Sequence, residues 1–312
     1  MRYHPKQVGC FNALECYREE VITMKKKVLA VLLVCALACF GVFSLAACSS
    51  SSSSDTEGSA EETATSDEAT VELENDTLIV GFDSAYPPYG YIDTDTGEYT
   101  GFDLDLAAEV CERNGWTLEA TPIDWDAKDA LIEQGNITCI WNGFTYEGRE
   151  DDYAFSGLYM INAQVIVTKA DSDIESLEDL AGKVVITQVD SAALEVLEGD
   201  QADLNATFDG GAVQTISDYD NAFMQLESGA VDAVACDYSI AAYQMAANED
   251  AYKQLDESLS SEHYAVGFKL GNEDLADLVT ETLREMDEDG TIEEICAKYE
   301  DQGISYENWC LE

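Results

Sequence analysis

Between residues 76 and 302 the chain alternates two hydrophobic rhythms: short β-rich apolar runs, and longer stretches whose apolar residues return every three or four positions. That alternation is how a wound α/β sheet reads. Leu78-Ile79-Val80-Gly81 opens as a strand. Residues 102–114 follow as a helix with Phe102, Leu106, Val110 and Cys111 on one stripe, and Gly115 ends it. A strand near 118–120, a helix over 128–134 and a strand over 137–141 come next. The last runs into a loop, 142–150, at a strand end, where open α/β sheets take their ligands. After an apolar run at 164–168 the alternation restarts, with helices at 177–181, 191–197, 218–228 and 238–247 and strands at 184–187 and 231–236. This reads as a second lobe. A strand at 264–268 and two helices within 272–299, parted by Gly290, complete the pattern.

The amino-terminal pattern differs. Met24-Lys25-Lys26-Lys27 is followed by an apolar run from Val28 to Leu45, then Ala46-Ala47-Cys48 and six serines. A positive start, an apolar middle and a small-residue exit make a signal peptide over 24–47. Leu45-Ala46-Ala47-Cys48 resembles the bacterial lipobox, which implies that Cys48 is lipidated and becomes the mature N-terminus. The alternative is a plain signal anchor, because the run is close to the roughly 20 residues that span a bilayer. Residues 1–23 lack signal-peptide composition and are expected to be a non-native extension, with Met24 as the true start. Residues 48–75 are Ser-, Thr- and acid-rich, and so read as a disordered linker between the lipid and the folded part.

Charge narrows the partners. The sequence holds 64 acids against 15 lysines and arginines, a formal charge of -49, which repels phosphate backbones and argues against a nucleic-acid partner. Six of the bases precede Cys48, so nine serve everything downstream, and any base near a pocket stands out. Of the two histidines, His4 falls in the extension and only His263 remains, and no metal-ligand spacing is present. Five of the ten cysteines lie at or before Cys48. The other five, Cys111, Cys139, Cys236, Cys296 and Cys310, are too widely spaced for a zinc site or a redox motif; they read as small buried residues, with a Cys296 to Cys310 bridge as the alternative.

A resemblance then emerges. Gly81-Phe82-Asp83-Ser84-Ala85-Tyr86-Pro87-Pro88-Tyr89 and Gly101-Phe102-Asp103-Leu104-Asp105-Leu106-Ala107 resemble the opening of the polar amino-acid family of bacterial solute-binding proteins, family 3. Ile123-Asp124-Trp125, Gly143-Phe144-Thr145, Arg149, Phe155-Ser156, Gly182-Lys183 and Gly229-Ala230-Val231-Asp232-Ala233 follow in the family's order. The resemblance implies an α/β, type II periplasmic-binding fold: two lobes joined by a two-strand hinge, with the ligand cleft between them. Lobe 1 would hold 76–165 and 264–312 and lobe 2 would hold 166–263, with the crossings near 163–169 and 260–267. It also implies a substrate-binding lipoprotein of an ABC importer, fixed to the extracytoplasmic face of the cell membrane through its lipid. Such a protein delivers a free amino acid to the permease subunits, acts as a monomer and uses no cofactor.

A free amino acid carries an ammonium and a carboxylate, so its pocket needs a base and an acid. Arg149 sits in a strand-end loop, and the resemblance implies that it clamps the ligand carboxylate; a surface ion pair with Glu147 or Asp151 is the plain alternative. Asp237 follows a strand, and the resemblance gives it the ligand ammonium; capping the next helix is its alternative. Asn142, Gly143 and Thr145 match the carboxylate-side loop. Ser191 opens a helix whose first turn could hold the same carboxylate, and N-capping by Ser191 or Asp190 is the alternative. Tyr86, Trp125 and Trp141 are candidate aromatic walls against ordinary core packing, with Asp83 facing the ligand side chain. Acids (Asp83, Asp190) and no second base are visible at that end, which favours a neutral polar or cationic amino acid. Two other classes fit the fold: a ligand-sensing lipoprotein, and a cyclohexadienyl dehydratase-like enzyme, for which no catalytic constellation is visible.

Overall fold

A computed structural model of the chain describes residues 73–248 and 250–311. The expected extension, the signal peptide at 24–47, Cys48 and the linker up to residue 72 lie outside the described residues.

The first strand, β1 (Thr77–Phe82), is buried at Leu78, Val80 and Phe82 and leads into a short antiparallel sheet of β2 (Ala85–Tyr86), β3 (Gly90–Ile92) and β4 (Tyr99–Thr100). Helix α1 (Phe102–Asn114) buries Phe102, Leu106, Val110 and Cys111, the stripe that the periodicity predicts. It stops at Gly115, whose φ of 71° is the left-handed cap conformation glycine adopts without penalty. β5 (Thr117–Pro122), α2 (Lys128–Glu133) and β6 (Cys139–Ile140) follow, then β7 (Ala154–Phe155).

Two strands now change the chain's course. β8 (Met160–Asn162) leaves the first sheet and β9 (Gln164–Lys169) joins a second one. That sheet is built from β10 (Val185–Gln188), β11 (Gln214–Ile216), β12 (Ala233–Asp237) and β13 (Tyr252–Gln254), with helices α3 (Ala192–Glu198), α4 (Ala202–Asn205), α5 (Tyr219–Ser228) and α6 (Tyr238–Ala247) between them. The chain returns through β14 (Glu262–Tyr264) and β15 (Gly267–Phe268), and ends in α7 (Glu273–Glu288) and α8 (Thr291–Lys298).

The first sheet has the order β5-β1-β6-β15-β7 and the second β11-β10-β12-β9-β13. In each, a parallel core (β5·β1·β6, β11·β10·β12) is extended by an antiparallel strand. Between them β8 and β14 form a two-stranded antiparallel ladder, Asn162 opposite Glu262 and Met160 opposite Tyr264. The first crossing therefore sits at 160–162, ahead of the expected 163–169, because residues 164–169 pair with β12 inside the second sheet. The expected strand at 264–268 is likewise divided between the ladder and the first sheet. Helix α7 returns to cover β7 and β15, burying Leu275, Val279, Leu283 and Met286 along one face. Each such side chain contributes about 1.5–3 kcal/mol of apolar burial.

No helix among the described residues is long and apolar enough to cross a membrane. Cys111, Cys139, Cys236, Cys296 and Cys310 are all free thiols, the first four buried, so the alternative of a Cys296 to Cys310 bridge does not hold.

Candidate functional site

The strand ends of both sheets converge on a buried cavity lined by Tyr86, Trp125, Gly143, Thr145, Arg149, Gln188, Ser191, Ala192 and Asp237. Its volume is about 20 Å³, space for about one water, so the two lobes stand close together across it. Seven of the ten residues nominated from the sequence line it. Of the other three, Asp83 and Asn142 lie directly behind: the Asn142 side-chain carbonyl accepts the Asp83 N–H, and the Asp83 carboxylate accepts from the Ala85 N–H and, 2.7 Å away on the second lobe, from Gln188 Nε2. Burial raises the Asp83 pKa, against the hydrogen bonds that oppose the rise.

Arg149 is 5% exposed and stacks its guanidinium over Phe144, 4.7 Å from the ring centre. Its Nε and Nη2 donate to Glu195 Oε1 at 3.3 and 2.8 Å, and its Nη1 reaches the Thr145 carbonyl at 3.4 Å. The partner is thus neither Glu147 nor Asp151, the neighbours in sequence, but an acid on α3 of the other lobe.

Asp237 ends β12 at 4% exposure and makes no side-chain cap to α6. Its Oδ1 accepts from Gln164 Nε2 (2.7 Å), Asn162 Nδ2 (3.0 Å) and the Tyr264 hydroxyl (3.0 Å). Desolvation raises its pKa. The Tyr264 hydroxyl continues the chain to Tyr86 and Ser239.

Ser191 caps α3, accepting from the Leu194 N–H, and shares a hydroxyl contact with Thr187. Trp125 contributes to the cavity wall, and its indole N–H donates across the cleft to the Asp190 carbonyl. Trp141, by contrast, is fully buried among core side chains and does not line the cavity.

Three residues matter that the sequence did not single out. Asp103, at the start of α1, is fully buried; it accepts from the Gly143 N–H and the Tyr159 hydroxyl and so pins the loop that carries Gly143 and Thr145. Burial pushes its carboxyl up to about 7 despite these bonds. Glu262, 2% exposed in the β14 crossing strand, accepts from Thr145 Oγ1, Asn162 Nδ2 and Gln164 Nε2, and burial first, then Asp237, raises it to about 7. Lys128 is 4% exposed and lies 5.3 Å from the Trp125 ring centre, with Asp129 and Asp190 oxygens each at 3.9 Å. Burial, then Arg149, lowers its pKa. The expectation of no second base near the cleft is therefore corrected: one is present, set against Asp190. Scarcity of bases was a signal for Lys128, whereas Asp103 and Glu262 are two acids among 64. His263 bonds Glu147 and is not part of the cavity lining. No cluster of metal-ligating side chains occurs among the described residues.

Residues 78–302 match the family model of bacterial extracellular solute-binding proteins, family 3. The chain is 28% identical to the L-cystine-binding protein TcyA of Bacillus subtilis over 90% of its own length and 100% of that protein's. It is 27% identical to the ABC transporter glutamine-binding protein GlnH of the same organism, over 88% and 97%. Among solved structures, an ABC uptake transporter substrate-binding protein from Streptococcus pneumoniae with bound histidine superposes with a TM-score of 0.71 at 31% identity, covering 74% of this chain and 95% of that one. With a two-lobed fold, a cleft at the strand ends and a family match over most of its length, the chain belongs to the bacterial extracellular solute-binding proteins, family 3.

Proposed function

We propose that the chain is the extracytoplasmic receptor of an ABC importer, closing its lobes around one free amino acid, neutral polar or cationic, and delivering it to permease subunits. The observation that carries this reading is that Arg149 from the first lobe and Asp237 from the second face one buried cavity. A zwitterion taken out of water needs an opposite charge at each end, and a guanidinium opposed to a carboxylate meets both demands. The ligand carboxylate would take the Arg149 fork from Glu195, with the loop of Gly143 and Thr145 on its side, and the ammonium would meet Asp237. Asp83, with Gln188, would face the ligand side chain and disfavour an acidic one. Relatives that bind cystine, glutamine and histidine support the ligand class.

The reading includes a signal peptide over 24–47, a lipid on Cys48 that anchors the monomer to the membrane, and binding without catalysis. Labelled palmitate should enter the wild-type chain and not Cys48→Ser; incorporation that persists in the variant removes the anchor. For the ligand, a thermal-shift screen against the twenty amino acids and cystine should raise the melting temperature with a few of them, since a ligand held only by the folded state stabilises it. The rise should vanish in Arg149→Ala and Asp237→Asn. A screen in which no amino acid moves the wild-type protein overturns the function.

A further inference from the structure

We infer that Glu262 is a positioning residue for the ammonium end of the cleft: it holds a proton beside Asp237 until the ligand's ammonium arrives, and then releases that proton to solvent. The inference rests on the amino-acid reading above and adds a property to it.

The geometry is that of two acids sharing one set of donors. Nδ2 of Asn162 and Nε2 of Gln164 each reach both Asp237 Oδ1 and Glu262 Oε1, at 2.7–3.0 Å. Among the described residues neither carboxylate makes an ion pair with a lysine or arginine, and the guanidinium beyond Thr145 is engaged by Glu195. Two negative charges buried side by side without a cation are costly, and such pairs keep one proton between them. The hydrogen-bond inventory points the same way. The side-chain carbonyl oxygens of Asn162 and Gln164, both in residues at most 3% exposed, find no donor among the protein's own groups. The cluster thus has more acceptors than donors. A proton on Glu262 supplies one donor and an ammonium supplies three, so proton and ligand fill the same deficit.

The coupling has a short path. Thr145 lines the cavity and donates its hydroxyl to Glu262, while Asn162 and Gln164 bridge Glu262 to Asp237. The charge on Glu262 therefore reaches the ligand through side chains already in contact with Asp237. Other groups facing the pair are the phenols of Tyr86, Tyr89, Tyr219 and Tyr264 and the thiol of Cys236, which burial keeps neutral, and the Ser260 hydroxyl. His263 lies between Glu262 and Tyr264 in β14, so its side chain projects from the opposite face and meets Glu147.

The sign follows from linkage. An ammonium beside the pair favours the ionised carboxylate, so binding expels a proton wherever Glu262 is protonated beforehand. Burial places that region near pH 7. Affinity should weaken as pH falls below about 7, approaching tenfold per pH unit for one whole proton. Calorimetry of the full-length protein with L-glutamine and with L-arginine at about pH 7, in phosphate and in Tris, should give different apparent enthalpies for the same binding event. That difference should disappear in Glu262→Gln. Ligand-free melting provides an independent arm: a carboxyl raised in the folded state stabilises below its unfolded pKa and loses that contribution as pH rises through the folded value. Glu262→Gln should thus lose less melting temperature than wild type between pH 6 and 8, with Asp103 and His263 retained in both. Buffer-independent heats in wild type, or buffer dependence that survives in Glu262→Gln, overturn the coupling. Should the variant not fold, buffer-independent heats in wild type still overturn the coupling. Absence of heat with every amino acid overturns the proposed function and the coupling with it, whereas the ligand-free arm still reports whether Glu262 carries a proton.

Discussion

Arg149 already holds a carboxylate, and that carboxylate belongs to the protein. Glu195 takes the Nε and Nη2 edge that a ligand would use, yet it is half-exposed, so the pair contributes at most about 1 kcal/mol. Glu195→Gln should therefore free the fork and tighten amino-acid binding by about two- to five-fold in calorimetry. Arg149→Lys keeps the charge and loses the fork; binding should weaken by about 1.5–3 kcal/mol, roughly 10- to 150-fold. Arg149 was legible in the sequence because a base is rare in this chain and this one falls in a strand-end loop. Asp237 was legible through the resemblance, which implies an acid for the ammonium at the end of this strand. Glu262 and Asp103 were not, since what makes them special is burial against Thr145 and Gly143, partners 117 and 40 positions away. Local pattern gives no such information.

Among the elements, the long ones could be read and the short ones could not. Helices α1 and α6 fall on the residues that the periodicity marks, and α7 with α8 part at Gly290. The hairpin strands β2 to β4 have two or three residues each, too few for any period to show. The expected strand at 137–141 pairs with β1 only at Cys139 and Ile140, and 177–180 winds as a 3₁₀ turn closed by a Ser176/Asp179 capping box. Gly101 joins the hairpin to α1 with φ of 145°, and a Cβ there would collide with the Tyr89 carbonyl. Gly101→Ala should accordingly destabilise the fold by about 2–5 kcal/mol, read as a lower denaturant midpoint at unchanged slope. Because α1 carries Asp103, the same variant should also loosen the Gly143 loop and weaken ligand binding.

At the scale of the whole molecule, acids outnumber bases so far that most have no basic side chain to pair with. A formal -49 destabilises any compact state by self-repulsion, which salt screens over about 10 Å at 0.1 M. The melting temperature should rise by several degrees between low and moderate ionic strength; a flat response would show that the repulsion costs nothing. The seam between the lobes is spanned by Asp83 with Gln188, Trp125 and Lys128 with Asp190, and Arg149 with Glu195. Tryptophan emission should therefore change on ligand titration, and the change should shrink in Trp125→Phe. The two-lobed plan was legible from the restart of the alternation. The place of the first crossing was not, because residues 160–169 hold no Gly or Pro to mark a boundary, and only pairing partners separate ladder from sheet. That pairing also imposes a timetable. β15 lies between β6 and β7 in the first sheet but is made only after every strand of the second. A polypeptide emerging amino end first can thus finish its later-starting half while the earlier one waits with a gap in its middle, so long-range closure of that gap should set the pace of maturation.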